Sequence, residues 1–204
     1  MRKVTVLLAL LILWTVIVSY VDVRPIGPME SEVGIAGLNQ AVRDMVGVNF
    51  TLYNLTDLMS IIPLGICAVF GIMGLVQLLR RRSIAKVDRD ILALGVFYII
   101  VIAAFLFFEV FVINFRPVLI EGVLEASYPS STTMLTICVM STAAMQMKIR
   151  IANDKIRKAA VIIIYSFTLF MVVGRIISGV HWITDIIGGI ILSAALVELY
   201  KIKK

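Results

Sequence analysis

Residues 91–113 read ILALGVFYIIVIAAFLFFEVFVI, 23 positions with a single charge, Glu109, near the end. A helix rises about 1.5 Å per residue and the hydrocarbon core of a bilayer is about 30 Å thick, so roughly 20 predominantly apolar residues make a crossing. This stretch is long enough, and it has no polar face. Outward from it, five further segments read as spans: Val4–Tyr20, Leu58–Leu79, Thr132–Met147, Ala159–Val173 and Ile183–Tyr200. Those starting at Thr132 and Ala159 are short, and are expected to extend into their flanks or to sit where the bilayer is thin.

Composition agrees. Of the 204 residues 61% are apolar and 16% charged, and mean hydropathy is +1.04. A water-soluble domain of this length is usually about 45 to 50% apolar and could not bury the excess. A disordered polymer and a disulfide-stapled module are excluded as well, by the high hydrophobicity and by only two cysteines, Cys67 and Cys138, both within spans. The expected fold is an all-α membrane protein, one polytopic domain over residues 1–204 with six transmembrane helices in a single bundle.

The net charge of +6 is carried by cations in four places. Arg2 and Lys3 precede the first span; Arg80, Arg81, Arg82, Lys86 and Arg89 link the second and third; Lys148, Arg150, Lys155, Arg157 and Lys158 link the fourth and fifth; Lys201, Lys203 and Lys204 follow the sixth. With six crossings all four clusters fall on one face. By the positive-inside rule that face, with both termini, is cytoplasmic. The clusters read as topology signals rather than as an anionic-lipid or nucleic-acid surface. No small-x-small cleavage site follows Ser19, so the first span is expected to be retained.

Three connections lie on the opposite, extracytoplasmic face. In the longest, residues 21–57, Val33, Leu38, Val42 and Met45 recur at helical spacing against Glu32, Asn39, Gln40, Arg43 and Asp44. Glu30–Gly47 therefore reads either as a helix lying in the interface or as a packing element. In the last span Gly188, Gly189, Ser193 and Ala194 form a small-residue face for close packing.

Apart from the cation clusters, ionisable and polar groups concentrate in the other two outer connections. One carries Glu109-x6-Arg116-Pro117 and then Tyr128-Pro129-Ser130-Ser131-Thr132; the other carries Gly174-Arg175-x5-His181-x3-Asp185. Charges at a membrane edge are costly unless paired or used, which makes these residues site candidates. His181 and Asp185 are one helical turn apart, so the carboxylate is expected to accept from one ring nitrogen and leave the other as a nucleophile or base. Arg116 and Arg175 supply planar forks suited to phosphate oxygens, and Ser130 a hydroxyl. Together they describe a phosphoryl site. One histidine and two buried cysteines cannot supply a zinc or calcium ligand set, so no metal or other cofactor is expected.

The order and spacing over residues 109–185 resemble the membrane-bound type 2 phosphatidic acid phosphatase superfamily, whose motifs are Lys-x6-Arg-Pro, Pro-Ser-Gly-His and Ser-Arg-x5-His-x3-Asp. The resemblance implies a six-span lipid phosphatase in which His181 attacks phosphorus to give a phosphohistidine. It also implies that Asp185 orients His181, that Arg116 and Arg175 hold the phosphate with help from Ser130, and that no metal is needed. Four positions depart from the pattern. Glu109 stands in place of the lysine, Ser131-Thr132 in place of Gly-His, and Gly174 in place of the first serine.

The missing histidine is the superfamily's general acid, and general acid catalysis is typically worth about 100- to 10,000-fold. A phosphate leaving from a diphosphate is a weaker base than an alkoxide and needs less help. The expectation is therefore a phosphatase or diphosphatase acting at the outer face on a lipid phosphate or polyprenyl diphosphate held in the bilayer. Glu109 is expected either to pair with an arginine or to stay protonated and replace the lost acid. The alternative is a degenerate member that binds anionic lipid headgroups or serves an envelope assembly.

Overall fold

The computed structural model describes residues 1–203; Lys204 of the last basic cluster lies outside the described residues. Eight α-helices follow in chain order: α1 (Arg2–Tyr20), α2 (Ala36–Val46), α3 (Phe50–Met59), α4 (Ile61–Arg81), α5 (Arg89–Val110), α6 (Ser131–Arg150), α7 (Asp154–Ser178) and α8 (Ile183–Lys203). Among the described residues five stretches are long and apolar enough to cross a membrane: Arg2–Tyr20, Phe50–Arg81, Arg89–Val110, Asp154–Ser178 and Ile183–Ile202. On α1, α4, α5 and α7 most of this apolar surface faces outward, Ile12, Ile72, Ile99 and Ile163 being exposed. Bilayer lipid is the solvent such faces require.

Of the six expected spans, five meet this measure of length and apolarity. The segment Thr132–Met147 is helical and does extend into its flanks, as α6, but it is too polar to qualify by composition. The reason is its position. α6 is enclosed, with Thr132, Thr133, Thr136, Thr142 and Gln146 all buried among its neighbours. Protein surrounds it, so its polar groups can bond to protein: Thr142 donates to the Cys138 carbonyl at 2.9 Å, and Gln146 to the Tyr200 hydroxyl at 3.2 Å.

The second span begins differently from its expected start at Leu58. Helix runs from Phe50 and is interrupted at Ser60, which separates α3 from α4. Pro63 accounts for the break, since it has no N–H to offer the carbonyl four residues back and its ring crowds that carbonyl. The segment 36–46 is a helix and packs against α8 and α7. Its inward face is built on Ala36 and Asn39; Leu38, Val42 and Met45 share another face, on which Leu38 and Met45 are exposed, and Val33 of the expected grouping lies outside the helix. Asn39 carries the docking: its amide donates to the Thr184 hydroxyl at 3.0 Å, and its carbonyl oxygen accepts from the Thr184 N–H at 3.3 Å.

Cross-helix contacts fix the direction of each helix. Asp90, at the start of α5, pairs with Arg150, at the end of α6, at 2.6 Å. At the other pole the Ser130 N–H donates to the Asp185 carbonyl at 3.0 Å. Near the end of α1, Trp14 donates to the Thr184 carbonyl at 3.2 Å and Thr15 shares a 2.8 Å hydrogen bond with the Tyr128 hydroxyl. The basic clusters thus gather at one pole, and the loops carrying the candidate residues at the other.

Candidate functional site

The loop after α5 folds back over the second pole, held by hydrogen bonds from Arg116 N–H to the Glu125 carbonyl at 3.0 Å and from Ser127 N–H to the Asn114 carbonyl at 2.9 Å. This turns the Arg116 side chain inward. α6 then starts with Ser130 as its N-cap residue. α7 ends one turn beyond Arg175, and Gly179, at φ +64°, reverses the chain; a Cβ there would lie 1.8 Å from the Gly47 carbonyl oxygen, so only glycine fits. The reversal delivers His181 to the pole, just before α8 begins.

His181 is buried, and its Nε2 lies 3.0 Å from Nη1 of Arg116. A guanidinium can only donate, so Nε2 is the acceptor, carries the lone pair, and leaves the ring proton on Nδ1. Burial holds the His181 imidazole well below its ordinary value of 6.5; the nearby Arg116 and Arg175 cations push the same way, and the Ser127 carbonyl opposes them. The ring is neutral at physiological pH, as a nitrogen nucleophile must be.

Arg175 is also buried. Nη2 donates to Asp57 Oδ1 at 3.1 Å and to the Thr132 hydroxyl, while Nη1 donates to the Thr56 hydroxyl at 3.4 Å and the Tyr53 carbonyl at 3.5 Å. The Tyr53 ring lies under the guanidinium, 4.9 Å from Cζ, and 5.9 Å from Cζ of Arg116. Arg116 in turn pairs through Nε with Glu125 at 2.9 Å. Buried donors at the pole without a hydrogen-bond partner include Ser130 Oγ, Arg175 Nε and His181 Nδ1. A buried unsatisfied donor costs about 1–3 kcal/mol, a cost that a bound anion relieves.

Residues 109–202 match the profile of the PAP2 superfamily. The matched segment, which carries the candidate site, is a PAP2 superfamily segment. The fold agrees: a crystal structure of the first transmembrane PAP2-type phosphatidylglycerolphosphate phosphatase from Bacillus subtilis superposes with a TM-score of 0.67 at 18% identity, over 98% of this chain and 95% of that one. No curated protein matches the sequence significantly.

Arg116, Arg175, Ser130, Thr132, His181 and Asp185 all reach the same pole. The pairing expected between His181 and Asp185 is not formed. Nδ1 and Oδ2 are 3.9 Å apart, beyond hydrogen-bond reach, and Nδ1 has no partner. Asp185 is taken up elsewhere. Oδ2 accepts from the Trp182 N–H at 3.0 Å and Oδ1 from the Asn114 amide at 3.0 Å. Because α8 starts at Ile183 rather than at His181, Asp185 is its third residue, and a carboxylate there reaches back to cap the helix N-terminus.

Glu109 is exposed and, among the described residues, makes no ion pair; the arginine partner expected for it is Glu125 instead. Glu109 lines the rim of a cavity of about 550 Å³ together with Phe105, Phe115, Arg116, Glu125 and Ser131. Gly174, which replaces a motif serine, lies under α3: a Cβ at 174 would come within 2.7 Å of the Thr56 methyl. The small residue is what lets Tyr53, Thr56 and Asp57 close on Arg175. These α3 residues, with Asn114 and Glu125, were missed from sequence. Asp57, a charge abutting the second apolar run, satisfies the same membrane-edge criterion that singled out Arg116.

Proposed function

We propose that this chain is a lipid phosphate phosphohydrolase acting through a phosphohistidine. The observation that carries the reading is the acceptor nitrogen of a neutral, buried His181 facing Arg116, with partnerless buried donors, Ser130 Oγ and Arg175 Nε among them, at the same pole. In the first step the Nε2 lone pair forms a bond to phosphorus, the P–O bond to the lipid breaks, and the lipid oxygen leaves with the bonding pair. In the second, water forms the new P–O bond, the N–P bond breaks, and its pair returns to Nε2 while phosphate departs. Arg116 and the free Nε of Arg175 hold the charge that develops on the phosphoryl oxygens.

The cavity beside Arg116 shares Phe105 and Ser131 with a second, apolar cavity of about 310 Å³, lined by Leu64, Val101, Ile102, Thr132 and Leu135 between α4, α5 and α6. That arrangement suits a headgroup with a hydrocarbon chain behind it. Thr132 stands where the motif has its general acid and cannot act as one, so a leaving group that is itself a phosphate is favoured, as in a polyprenyl diphosphate. The Bacillus protein of similar fold is a phosphatidylglycerolphosphate phosphatase, and a monoester of that kind is the comparison substrate. We further propose that α6 is a sixth span, and that the site pole faces away from the cytoplasm.

The reading of a non-catalytic headgroup binder is favoured by one feature: Glu125 and Asp57 already neutralise the two arginines. One experiment separates the two. Phosphate release from a polyprenyl diphosphate and from phosphatidate is measured for the parent and for His181→Ala in detergent. The enzyme reading expects faster release from the diphosphate and at least a thousandfold loss, about 4 kcal/mol of barrier, in the variant. Equal release by parent and variant overturns it.

A further inference from the structure

Far from this site, α4 and α5 diverge toward the basic pole and leave a groove of about 330 Å³ between them. Its walls include Phe70, Leu78, Ile91 and Tyr98, and it runs along α4 from Cys67 to Leu78, about 16 Å at helical rise. Gly71 and Gly95 line it, and a Cβ at either would meet no atom within 4 Å. Glycine is unfavourable inside a helix, and here no protein neighbour requires it. Its effect is to keep the groove open.

The mouth of the groove is formed by Ile84 and Val87 of the α4–α5 link. The acids of this link are already engaged, Asp88 by Arg81 at 2.7 Å and Asp90 by Arg150 at 2.6 Å. Arg82, Lys86 and Arg89 flank the mouth in sequence, are exposed, and form no ion pair among the described residues. Arg82 closes α4 at φ +52°, a left-handed position that favours glycine, yet an arginine stands there.

We propose that this groove is a binding site for an anionic phospholipid, with an acyl chain along α4 and α5 and the headgroup phosphate on Arg82, Lys86 and Arg89. An apolar slot whose lining residues Ile84 and Val87 are neighbours in sequence of three exposed cations without ion pairs has the chemistry of an acidic lipid and matches neither a neutral lipid nor a soluble anion. Each cation near an anionic headgroup strengthens binding by about fivefold. The site is distinct from the phosphohydrolase pole and does not depend on its assignment.

The test uses the full chain in mixed micelles, with native mass spectrometry counting retained phosphatidylserine and phosphatidylcholine. One phosphatidylserine per chain is expected to be retained, at least tenfold in preference to phosphatidylcholine. The triple variant Arg82→Ala, Lys86→Ala, Arg89→Ala should lower that preference at least tenfold. Gly71→Leu with Gly95→Leu, which fills the groove without meeting protein atoms at Cβ, should abolish retention while leaving helicity by circular dichroism unchanged. His181→Ala should retain the lipid as the parent does. Equal retention of the two lipids, retention unaffected by either groove variant, or loss in His181→Ala overturns the proposal; were the glycine variant to misfold, the triple variant decides alone.

Discussion

At the residue scale the chemistry rests on a buried imidazole that resists protonation. An unfolded His181 takes up a proton near pH 6.5, whereas the folded ring, buried between two guanidinium groups, does so only at lower pH. Below 6.5 the unfolded chain therefore binds more protons than the folded one. Stability from this group is complete above 6.5 and falls as pH drops below it, by at most about 1.4 kcal/mol per pH unit. Thermal midpoints in detergent between pH 7.5 and 5 should drop more for the parent than for His181→Gln, whose side chain does not titrate. Parallel curves would show that the ring titrates normally. Arg116, Arg175 and His181 were legible in the sequence because a motif fixes their spacing. The partners of Arg175 were not. Asp57 lies 118 positions away in the chain, and no local pattern links residues brought together only by the packing of α3 on α7.

Among the elements, α3 has the largest unforeseen role. A stretch taken for part of a loop is a helix capped by Asn49, whose side chain accepts from Leu52 N–H at 2.9 Å, and it presents Tyr53, Thr56 and Asp57 to Arg175. The Arg175 side chain is 1% exposed and that of Asp57 is 56% exposed, so the ion pair is partly screened and worth less than a fully buried one. Asp57→Ala should lower stability by about 1–2 kcal/mol, since it leaves a buried guanidinium short of an acceptor. Asp57→Asn keeps an acceptor and should cost about half as much or less. Denaturation midpoints compare the two, and equal losses would show that α3 does not clamp Arg175 through this side chain. The apolar helices α1, α4, α5 and α7 were readable because lipid dictates their composition. α6 was the hard one, its threonines and glutamine answering to neighbouring helices instead.

For the whole molecule, the remaining step runs from helix direction to membrane orientation. α6 is tied to α8 at both ends, by Ser130 N–H to the Asp185 carbonyl and by Gln146 to the Tyr200 hydroxyl. It therefore travels the length of a helix that is itself apolar enough to span, and a helix of 20 residues covers about 30 Å. With α6 as the proposed sixth crossing the basic clusters come to one side, and cations resist translocation, so that side is expected to be cytoplasmic. In a background with Cys67→Ala and Cys138→Ser, Glu121→Cys on the α5–α6 loop should react with a membrane-impermeant maleimide on intact cells. Lys155→Cys, at the start of α7, should react only after the cells are opened. If α6 did not cross, the two positions would lie on the same side of the membrane and both would label before lysis or neither would; the reverse pattern would place the His181 pole in the cytoplasm and require its lipid to be presented from the inner leaflet.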